Sequence, residues 1–264
     1  MQGIIFCDID GTILFHDKIH GVKVINNDRV SVEGKEFDTF DLSTEFYNTY
    51  MGKKTYDLFK ELSKKYYIVL VTGARRSSIE IRKHKLDFAH AFVIENGGSI
   101  LDKNLKEDEE WSKRLDNEVK VLNEFKKELK EWVLDDKGRK TSIRIREIDN
   151  KEIDDLKKNI KLPKELKQTI NIGSLDIICK SSGKDNAVKH FIKKLKSKPS
   201  FGIGDDINDL DFLRIVEHKF VLGSSFEKVL ETAKKEGWYV SKDKYFDGIN
   251  EILENILFQK VFKQ

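Results

Sequence analysis

The sequence GIIFCDIDGTI, at residues 3–13, contains the strongest structural signal in the chain. Its apolar run at 3–7 is bounded by turn residues, which is typical of a buried parallel strand. Asp8 and Asp10 stand one residue apart where that strand ends, so their side chains share a face. Because like charges this close repel each other, the pair indicates a bound cation or a shared proton. Open α/β sheets bind ligands at the carboxyl ends of their strands, so we expect a metal-assisted carboxylate site here.

The composition is charge-rich but globular. Of the 264 residues, 36% are charged and 39% are hydrophobic, and long apolar runs recur along the chain. The 49 basic and 46 acidic residues nearly cancel, so the charge does not indicate nucleic-acid or membrane binding. No window approaches the roughly 18 apolar residues of a transmembrane helix, and no signal-peptide pattern is present. We expect a cytoplasmic protein, and the sequence leaves its oligomeric state open.

Strand-like apolar runs alternate with helical patterns at both ends of the chain. The predicted strands are 3–9, 67–71, 91–94, 201–203, 219–223 and 238–240. The predicted helices are 52–65, 76–86, 186–195, 225–236 and 247–258. This alternation predicts the α/β class, with a parallel sheet covered by helices on both faces.

The middle of the chain follows a different pattern. It comprises a charge-studded helical stretch at 113–134, an alternating strand at 141–148, a short helix at 151–160 and strand candidates at 167–172 and 174–179. We expect these elements to form a small α+β domain at 106–180, inserted into a core made of residues 1–105 and 181–264. The polar segment 18–45, with interspersed valines, predicts a β-hairpin or flap.

Four polar motifs stand where strands end or helices begin. They are DIDGT at 8–12, TGAR at 72–75, Lys184 within SSGKD, and GDDIND at 204–209. Such strand ends can converge on one edge of a parallel sheet. Together they would supply carboxylates for a cation, a carboxylate nucleophile, a hydroxyl group with backbone N–H groups, and a lysine. Hard oxygen ligands favour Mg²⁺, and this inventory is typical of phosphoryl transfer.

The four motifs, in this order, resemble those of the haloacid dehalogenase-like (HAD) phosphohydrolase superfamily. DIDGT is similar to the first motif, in which the second aspartate marks phosphatases. VLVTGAR, Lys184 and GDDINDLDF are similar to the second, third and fourth motifs. ENGG at 95–98 and the tail VLGSS…DGINEIL resemble the Cof-type, sugar-phosphatase-like branch, which has a large cap between the second and third motifs. The resemblance implies a Rossmann-like core and an α+β cap that selects the substrate.

The resemblance also implies catalytic and metal-binding roles. Asp8 would attack phosphorus and form an aspartyl-phosphate. Asp10 would protonate the leaving oxygen and then deprotonate the attacking water. Mg²⁺ would bind the Asp8 carboxylate, the Asp10 backbone carbonyl and Asp205. Asp209 would hold a metal-bound water or position Lys184.

The remaining motif residues would bind the phosphoryl group or the substrate. The resemblance gives phosphoryl contacts to Thr72, Gly73 and Asn208, together with Gly11 in the turn of the first motif, while Lys184 would neutralise developing charge. Arg75 and Asn96 are candidate substrate contacts. Arg144 and Arg146 share one face of the strand at 141–148, where they either face the active site or are solvated.

These expectations describe a Mg²⁺-dependent phosphatase that acts on a small phosphorylated metabolite, with a sugar phosphate as the expected substrate. Two alternatives remain open. A phosphomutase or phosphotransferase would use the same four motifs. A catalytically silent protein that binds a phosphorylated ligand is the other, although the intact Asp8, Asp10, Lys184 and Asp205 argue against it.

Overall fold

The computed structural model describes residues 1–45, 47–129, 132–146, 150–171 and 174–258. The strands are β1 (Ile4–Asp8), β2 (Phe15–His16), β3 (Lys23–Asn26), β4 (Arg29–Val32), β5 (Lys35–Asp41), β6 (Thr49–Gly52), β7 (Tyr67–Val71), β8 (Ala91–Ile94), β9 (Ser99–Asp102), β10 (Ser142–Arg146), β11 (Leu166–Asn171), β12 (Ser174–Cys179), β13 (Ser200–Gly204), β14 (His218–Val221) and β15 (Tyr239–Val240). The α-helices are α1 (Asp17–His20), α2 (Lys53–Ser63), α3 (Arg76–Arg82), α4 (Glu109–Phe125), α5 (Asn150–Asn159), α6 (Lys184–Leu195), α7 (Leu210–Leu213), α8 (Glu227–Glu236) and α9 (Tyr245–Leu257). Within the described ranges, no helix has both the length and the apolar character needed to cross a membrane.

The central sheet has seven strands in the order β15-β14-β13-β1-β7-β8-β9. Its strand pairs are parallel from β15 to β8, and β9 runs antiparallel at the edge. Strand β1 lies between β13 and β7, so the residues that follow these three strands meet at one edge of the sheet. The predicted α/β class is confirmed.

Helices cover both faces of this sheet because side chains alternate along its strands. On β1, Ile5 and Cys7 belong to the hydrophobic cluster that also contains the buried residues of α2 and α9. Ile4 and Phe6 belong to the opposite cluster, which contains those of α4, α6, α7 and α8. Full burial of one such large apolar side chain contributes about 1.5–3 kcal/mol, so β1 is anchored from both sides.

A second, three-stranded antiparallel sheet has the order β10-β12-β11 and contacts α4 and α5. We call these five elements, together with the segments that connect them, the cap. The boundaries 106–180 stay a prediction. Residues 147–148 and 172, at the ends of two predicted strands, lie outside the described residues.

The predicted helix at 113–134 is wrong at both ends. Helix α4 starts at Glu109 because the Asp108 side chain accepts a hydrogen bond from the backbone N–H of Trp111. It ends at Phe125 and continues as a short 3₁₀ turn, Lys126–Leu129. Residues 130–131 lie outside the described residues, and Leu134 pairs with Ile145 of β10 in a β-bridge.

A third sheet contains the predicted flap and is larger than a hairpin. Its antiparallel order is β2-β6-β5-β4-β3, and we call it the flap sheet. Val30, Val32 and Met51 are buried in the same cluster as α9, and the rings of Phe37 and Phe246 lie 4.8 Å apart. The segment 18–45 is therefore packed onto the core, and its neighbours β2 and β6 extend the sheet towards the end of β1.

Candidate active site

Lys184 joins the first, third and fourth motifs. Its ammonium group, at the start of α6, donates hydrogen bonds to Asp8 Oδ1 at 2.7 Å, Asp209 Oδ1 at 2.6 Å and Asn208 Oδ1 at 2.8 Å. Burial lowers the pKa of Lys184, but the charges of Asp209 and Asp8 outweigh burial and raise it overall. The lysine therefore stays charged next to the carboxylate predicted to be the nucleophile.

The turns that carry these residues depend on close backbone contacts. Gly11 has φ +93°, and a Cβ there would overlap the carboxylate of Asp205, which also accepts a hydrogen bond of 2.5 Å from the Thr12 hydroxyl. A Cβ at Gly97 would overlap the backbone of Gly183, the residue that precedes Lys184. The glycines of DIDGT and ENGG thus let separate loops approach each other at the sheet edge.

Three buried carboxylates, those of Asp8, Asp205 and Asp209, lie with one oxygen each within 4.8 Å of one another. Burial, reinforced by the charge of Asp209, raises the pKa of both Asp8 and Asp205 well above the usual value. Lys184 compensates only part of this charge, so the cluster fits a divalent cation with oxygen ligands.

Within this cluster Asp209 has a second task. Its Oδ1 accepts from Lys184, and its Oδ2 accepts from the backbone N–H groups of Asp205 and Asp206 at 3.1 Å each. One carboxylate oxygen of Asp209 therefore holds Lys184, and the other holds the backbone of the fourth motif. Of the two roles that the resemblance implies for Asp209, the positioning of Lys184 has direct geometric support.

The Asp10 side chain lies in a different network from the Asp8 carboxylate. Its Oδ1 accepts from Arg82 at 3.1 Å and lies 3.3 Å from Nε2 of His16, while its Oδ2 accepts from the Thr72 hydroxyl at 3.4 Å. Burial raises the pKa of Asp10, but Arg82 and His16 together lower it far below its usual range. The two aspartates thus have opposite electrostatic environments, which separates their chemistry.

Arg82 and His16 are site residues that the sequence analysis did not identify. Arg82 is buried on α3 beside Ile79, and His16 is buried on β2 of the flap sheet. A signal for Arg82 is present, since it occupies the apolar face of the predicted helix 76–86, three residues after Ile79. No local signal marks His16, because its position depends on pairing of β2 with the distant β6.

Around Gly73, the second motif meets the cap. Its carbonyl oxygen accepts from Arg139 Nη1 at 3.1 Å and from Arg144 Nη2 at 3.5 Å. Asn96 donates to Asp176 of β12 at 2.7 Å, and its buried Oδ1 has no hydrogen-bond partner in the described part of the chain. The predicted substrate contact Asn96 therefore touches the cap and lies next to the second motif.

Arg75 also contacts the cap. Its Nη1 donates to the carbonyl of Lys137 at 2.8 Å and lies 3.3 Å from the Asp135 carboxylate. The guanidinium group is therefore held by the residues that precede β10. This geometry gives Arg75 a clear link to the cap, in addition to its place in the wall of the cavity.

Many of these groups line a cavity of about 130 Å³. The core contributes Asp8, Asp10, Thr72, Gly73, Lys184 and Asn208; the cap side contributes Arg139, Arg144 and Arg146; the flap sheet and its loops contribute His16, His20, Thr44 and Tyr47. Arg146 donates to the Tyr47 hydroxyl at 3.0 Å, so cap and flap meet across the cavity. Of the alternatives for Arg144 and Arg146, the structure favours the one in which they face the active site.

Comparisons with known proteins give the same family as the motifs. The family model described as sucrose-6F-phosphate phosphohydrolase matches residues 50–256. No curated protein sequence gives a significant match.

Solved structures resemble this chain over nearly its whole length. The sucrose-phosphatase of Synechocystis sp. PCC6803, solved with sucrose and phosphate, has a TM-score of 0.64 at 13% identity, covering 97% of this chain and 98% of that chain. Protein 0175 of Thermoplasma acidophilum gives 0.66 at 16% identity, with 97% and 98% covered. The HAD subclass IIB sugar phosphatase BT4131 gives 0.61 at 14% identity, with 96% and 98% covered. At these identities the likeness shows the fold.

The matched region includes the second, third and fourth motifs, and the first motif meets them in the cavity. The resemblance inferred from the motifs is thereby confirmed, as is the expectation of a phosphatase enzyme. The chain belongs to the sucrose-6F-phosphate phosphohydrolase family, and its four motifs are those of a HAD-like phosphohydrolase.

Proposed function

We propose that this protein is a cytoplasmic Mg²⁺-dependent phosphatase that hydrolyses a small sugar phosphate through an aspartyl-phosphate on Asp8. The observation that carries the proposal is the bond of 2.7 Å between Lys184 and Asp8 at the edge of the sheet. This bond holds the carboxylate in one orientation and keeps a buried cation beside it, as attack on a phosphorus atom requires.

Asp8 is the nucleophile in this proposal. One of its oxygens forms the bond to phosphorus while the ester oxygen of the substrate leaves, and a water molecule later cleaves the acyl phosphate. Lys184 stabilises the negative charge that the phosphoryl oxygens carry, and the Asn208 amide lies beside it at 2.8 Å. The Thr72 hydroxyl and the Gly73 N–H, at the end of the neighbouring strand β7, bind the phosphoryl group together with the turn at Gly11.

Asp10 moves the protons. Because Arg82 and His16 hold its pKa far below the usual range, Asp10 rests as a carboxylate, so it must take up a proton from solvent before it can donate that proton to the leaving oxygen in the first step. In the second step it takes a proton from the attacking water. Arg82, His16 and Thr72 orient its carboxyl group by the contacts described above.

Mg²⁺ would be held by Asp8, Asp205 and the Asp10 carbonyl, with Asp209 behind them, and when bound it would neutralise charge on the phosphoryl oxygens. The buried carboxylate cluster supports this choice, because its oxygen-only donor set suits a hard divalent ion.

The test replaces the nucleophile. In Asp8→Asn we expect phosphate release from p-nitrophenyl phosphate with Mg²⁺ to fall by at least about 10³-fold, because the amide cannot form the acyl phosphate. Asp38→Asn on the exposed β5 surface is the matched control and should keep full activity. Retained activity in Asp8→Asn would remove Asp8 as the nucleophile. Transfer to sugar hydroxyls without phosphate release would identify a phosphotransferase instead.

A further inference from the structure

Two arginines of the cap, Arg139 and Arg144, converge on the second motif. We call them the arginine pair. Both donate to the carbonyl oxygen of Gly73, and Nη2 of Arg144 would lie 3.3 Å from a Cβ at that position. The side chains are 2% and 14% exposed, and both line the cavity. They are therefore built into the wall of the active site.

Their charges are compensated unequally. Arg144 forms two bonds of 2.7 Å to Asp176, a complete fork-to-carboxylate pair. Arg139 bonds to the carbonyl oxygens of Asp135 and Gly73 and to the Ser142 hydroxyl. Its nearest carboxylate oxygen, on Asp135, is 3.9 Å from Nη2, which is beyond hydrogen-bond distance.

Arg139 is thus a buried cation with open donors. Among the described residues its Nη2 donates no hydrogen bond, although Arg139 itself is almost completely buried. Burial and the charge of Arg144 lower the pKa of Arg139 to about 10, which still leaves the guanidinium charged at neutral pH. A buried guanidinium group without full compensation is costly, and an anion in the cavity would relieve that cost.

The position of the pair distinguishes it from the phosphoryl subsite. Lys184 and the predicted phosphoryl contacts Thr72 and Asn208 lie on the core side of the cavity. The arginine pair lies on the cap side and is bonded to the carbonyl of Gly73, whereas the N–H of that residue is the predicted phosphoryl donor. An anion on the pair would therefore belong to the part of the substrate that is not transferred.

We propose that the arginine pair binds a second anionic group of the substrate, so that the enzyme prefers phosphate monoesters that also carry a carboxylate or a second phosphate. The open N–H groups of Arg139 Nη2 are charged donors that suit either group, and Arg144 adds positive charge beside them. The proposal rests on the proposed phosphatase function and specifies its substrate class as a sugar-acid phosphate or a sugar bisphosphate.

The test compares substrates that differ mainly in the second anion. 6-Phosphogluconate against sorbitol 6-phosphate, both open-chain, tests a carboxylate, and fructose 1,6-bisphosphate against fructose 6-phosphate tests a phosphate. With Mg²⁺ present, we expect kcat/KM to be at least about tenfold higher for at least one of the two substrates that carry the second anion, since hydrogen bonds to charged groups are the strong ones. The pair of substrates that shows the preference identifies the anion.

Arg139→Gln should reduce that preference about tenfold, mainly through KM of the substrate with the second anion. Arg139→Lys keeps the charge without the fork and should fall in between. Arg214→Gln removes an exposed arginine that pairs with Glu236, and it controls for net charge. Thermal unfolding of each variant verifies that it is folded.

The outcomes separate the two proposals. If wild-type protein hydrolyses p-nitrophenyl phosphate but shows no preference within either substrate pair, the anion subsite is wrong and the phosphatase stands. If Arg139→Gln lowers kcat/KM equally for both substrates of a pair, Arg139 only positions Gly73 and does not bind the second anion. If the Gln variant does not fold, the wild-type ratio and the Lys variant still decide. No phosphate release from any substrate would overturn the phosphatase proposal itself.

Discussion

In the proposed mechanism, Asp10 needs its partners because its carboxyl group would have to meet the leaving oxygen at a fixed place. Arg82 is the residue that fixes it, since the same guanidinium group also donates to the Leu42 carbonyl at 3.1 Å and to the Thr49 hydroxyl at 3.2 Å. It thereby ties the first motif to the flap sheet. In the proposed mechanism, a single buried side chain would thus couple proton transfer to a segment that is distant in sequence.

Arg82→Lys tests this coupling. Lysine keeps the charge but cannot span Asp10, Leu42 and Thr49 together, so we expect kcat with p-nitrophenyl phosphate to fall roughly tenfold or more. Arg76→Lys, on the exposed side of the same helix where it pairs with Glu80, is the control and should be unchanged. A folded Arg82→Lys protein with wild-type kcat would show that Asp10 does not depend on Arg82.

At the scale of elements, the turn after β8 connects core and cap. Glu95 and Asn96 have φ of +51° and +54°, a left-handed conformation that costs about 1–3 kcal/mol per residue outside glycine. In return, Glu95 Oε2 accepts bonds of 2.8 Å from Thr141 N, 2.9 Å from the Thr141 hydroxyl and 3.0 Å from Lys140 N. The strained turn therefore pins the start of β10, the strand that carries Arg144.

Glu95→Gln should loosen this attachment. An amide is a weaker acceptor than a carboxylate and directs an NH₂ group at existing donors, so we expect a loss of about 2 kcal/mol in the free energy of unfolding in urea. Glu107→Gln is the matched control, because that carboxylate also bonds Lys140 but is partly exposed, at 26%. A loss no larger than that of Glu107→Gln would mean that Glu95 does not hold the cap.

Elements buried on both faces are readily predicted from sequence, and those defined by long-range pairing are not. The run 67–71 is an apolar stretch bounded by turn residues, and it is β7 without change. The flap sheet depends on β5 pairing with β6 and β6 with β2, which no local pattern encodes.

The cap arginine Arg139 had no signal at all, because its position follows from the turn before β10 and from contacts with Gly73. The start of α4, by contrast, was encoded by Asp108 as an N-cap.

At the scale of the whole molecule, the active site is a meeting point of three sheets. The loops at the edge of the central sheet supply the carboxylates and the start of α6 supplies Lys184. The cap supplies the arginine pair, and the flap sheet with its loops supplies His16 and Tyr47. If the carboxylate cluster binds a cation as proposed, repulsion within the cluster should destabilise the folded chain in the absence of that cation. Stability of the entire protein should therefore be linked to metal concentration.

Asp205→Asn makes this linkage measurable by thermal unfolding. The variant loses one of three buried acidic groups and keeps an oxygen that accepts from the Thr12 hydroxyl. Without metal, we therefore expect its Tm to lie about 2–4 °C above that of the wild type. A shift of that size corresponds to about 1 kcal/mol of free energy of unfolding for a chain of this length. With increasing Mg²⁺, the Tm of wild-type protein should rise and that of the variant should stay nearly constant, because a ligand that binds only the folded state stabilises it. Asp38→Asn should follow the wild type under both conditions. A magnesium-dependent rise of equal size in Asp205→Asn would show that Asp205 is not a metal ligand, whatever the effect of the substitution on activity.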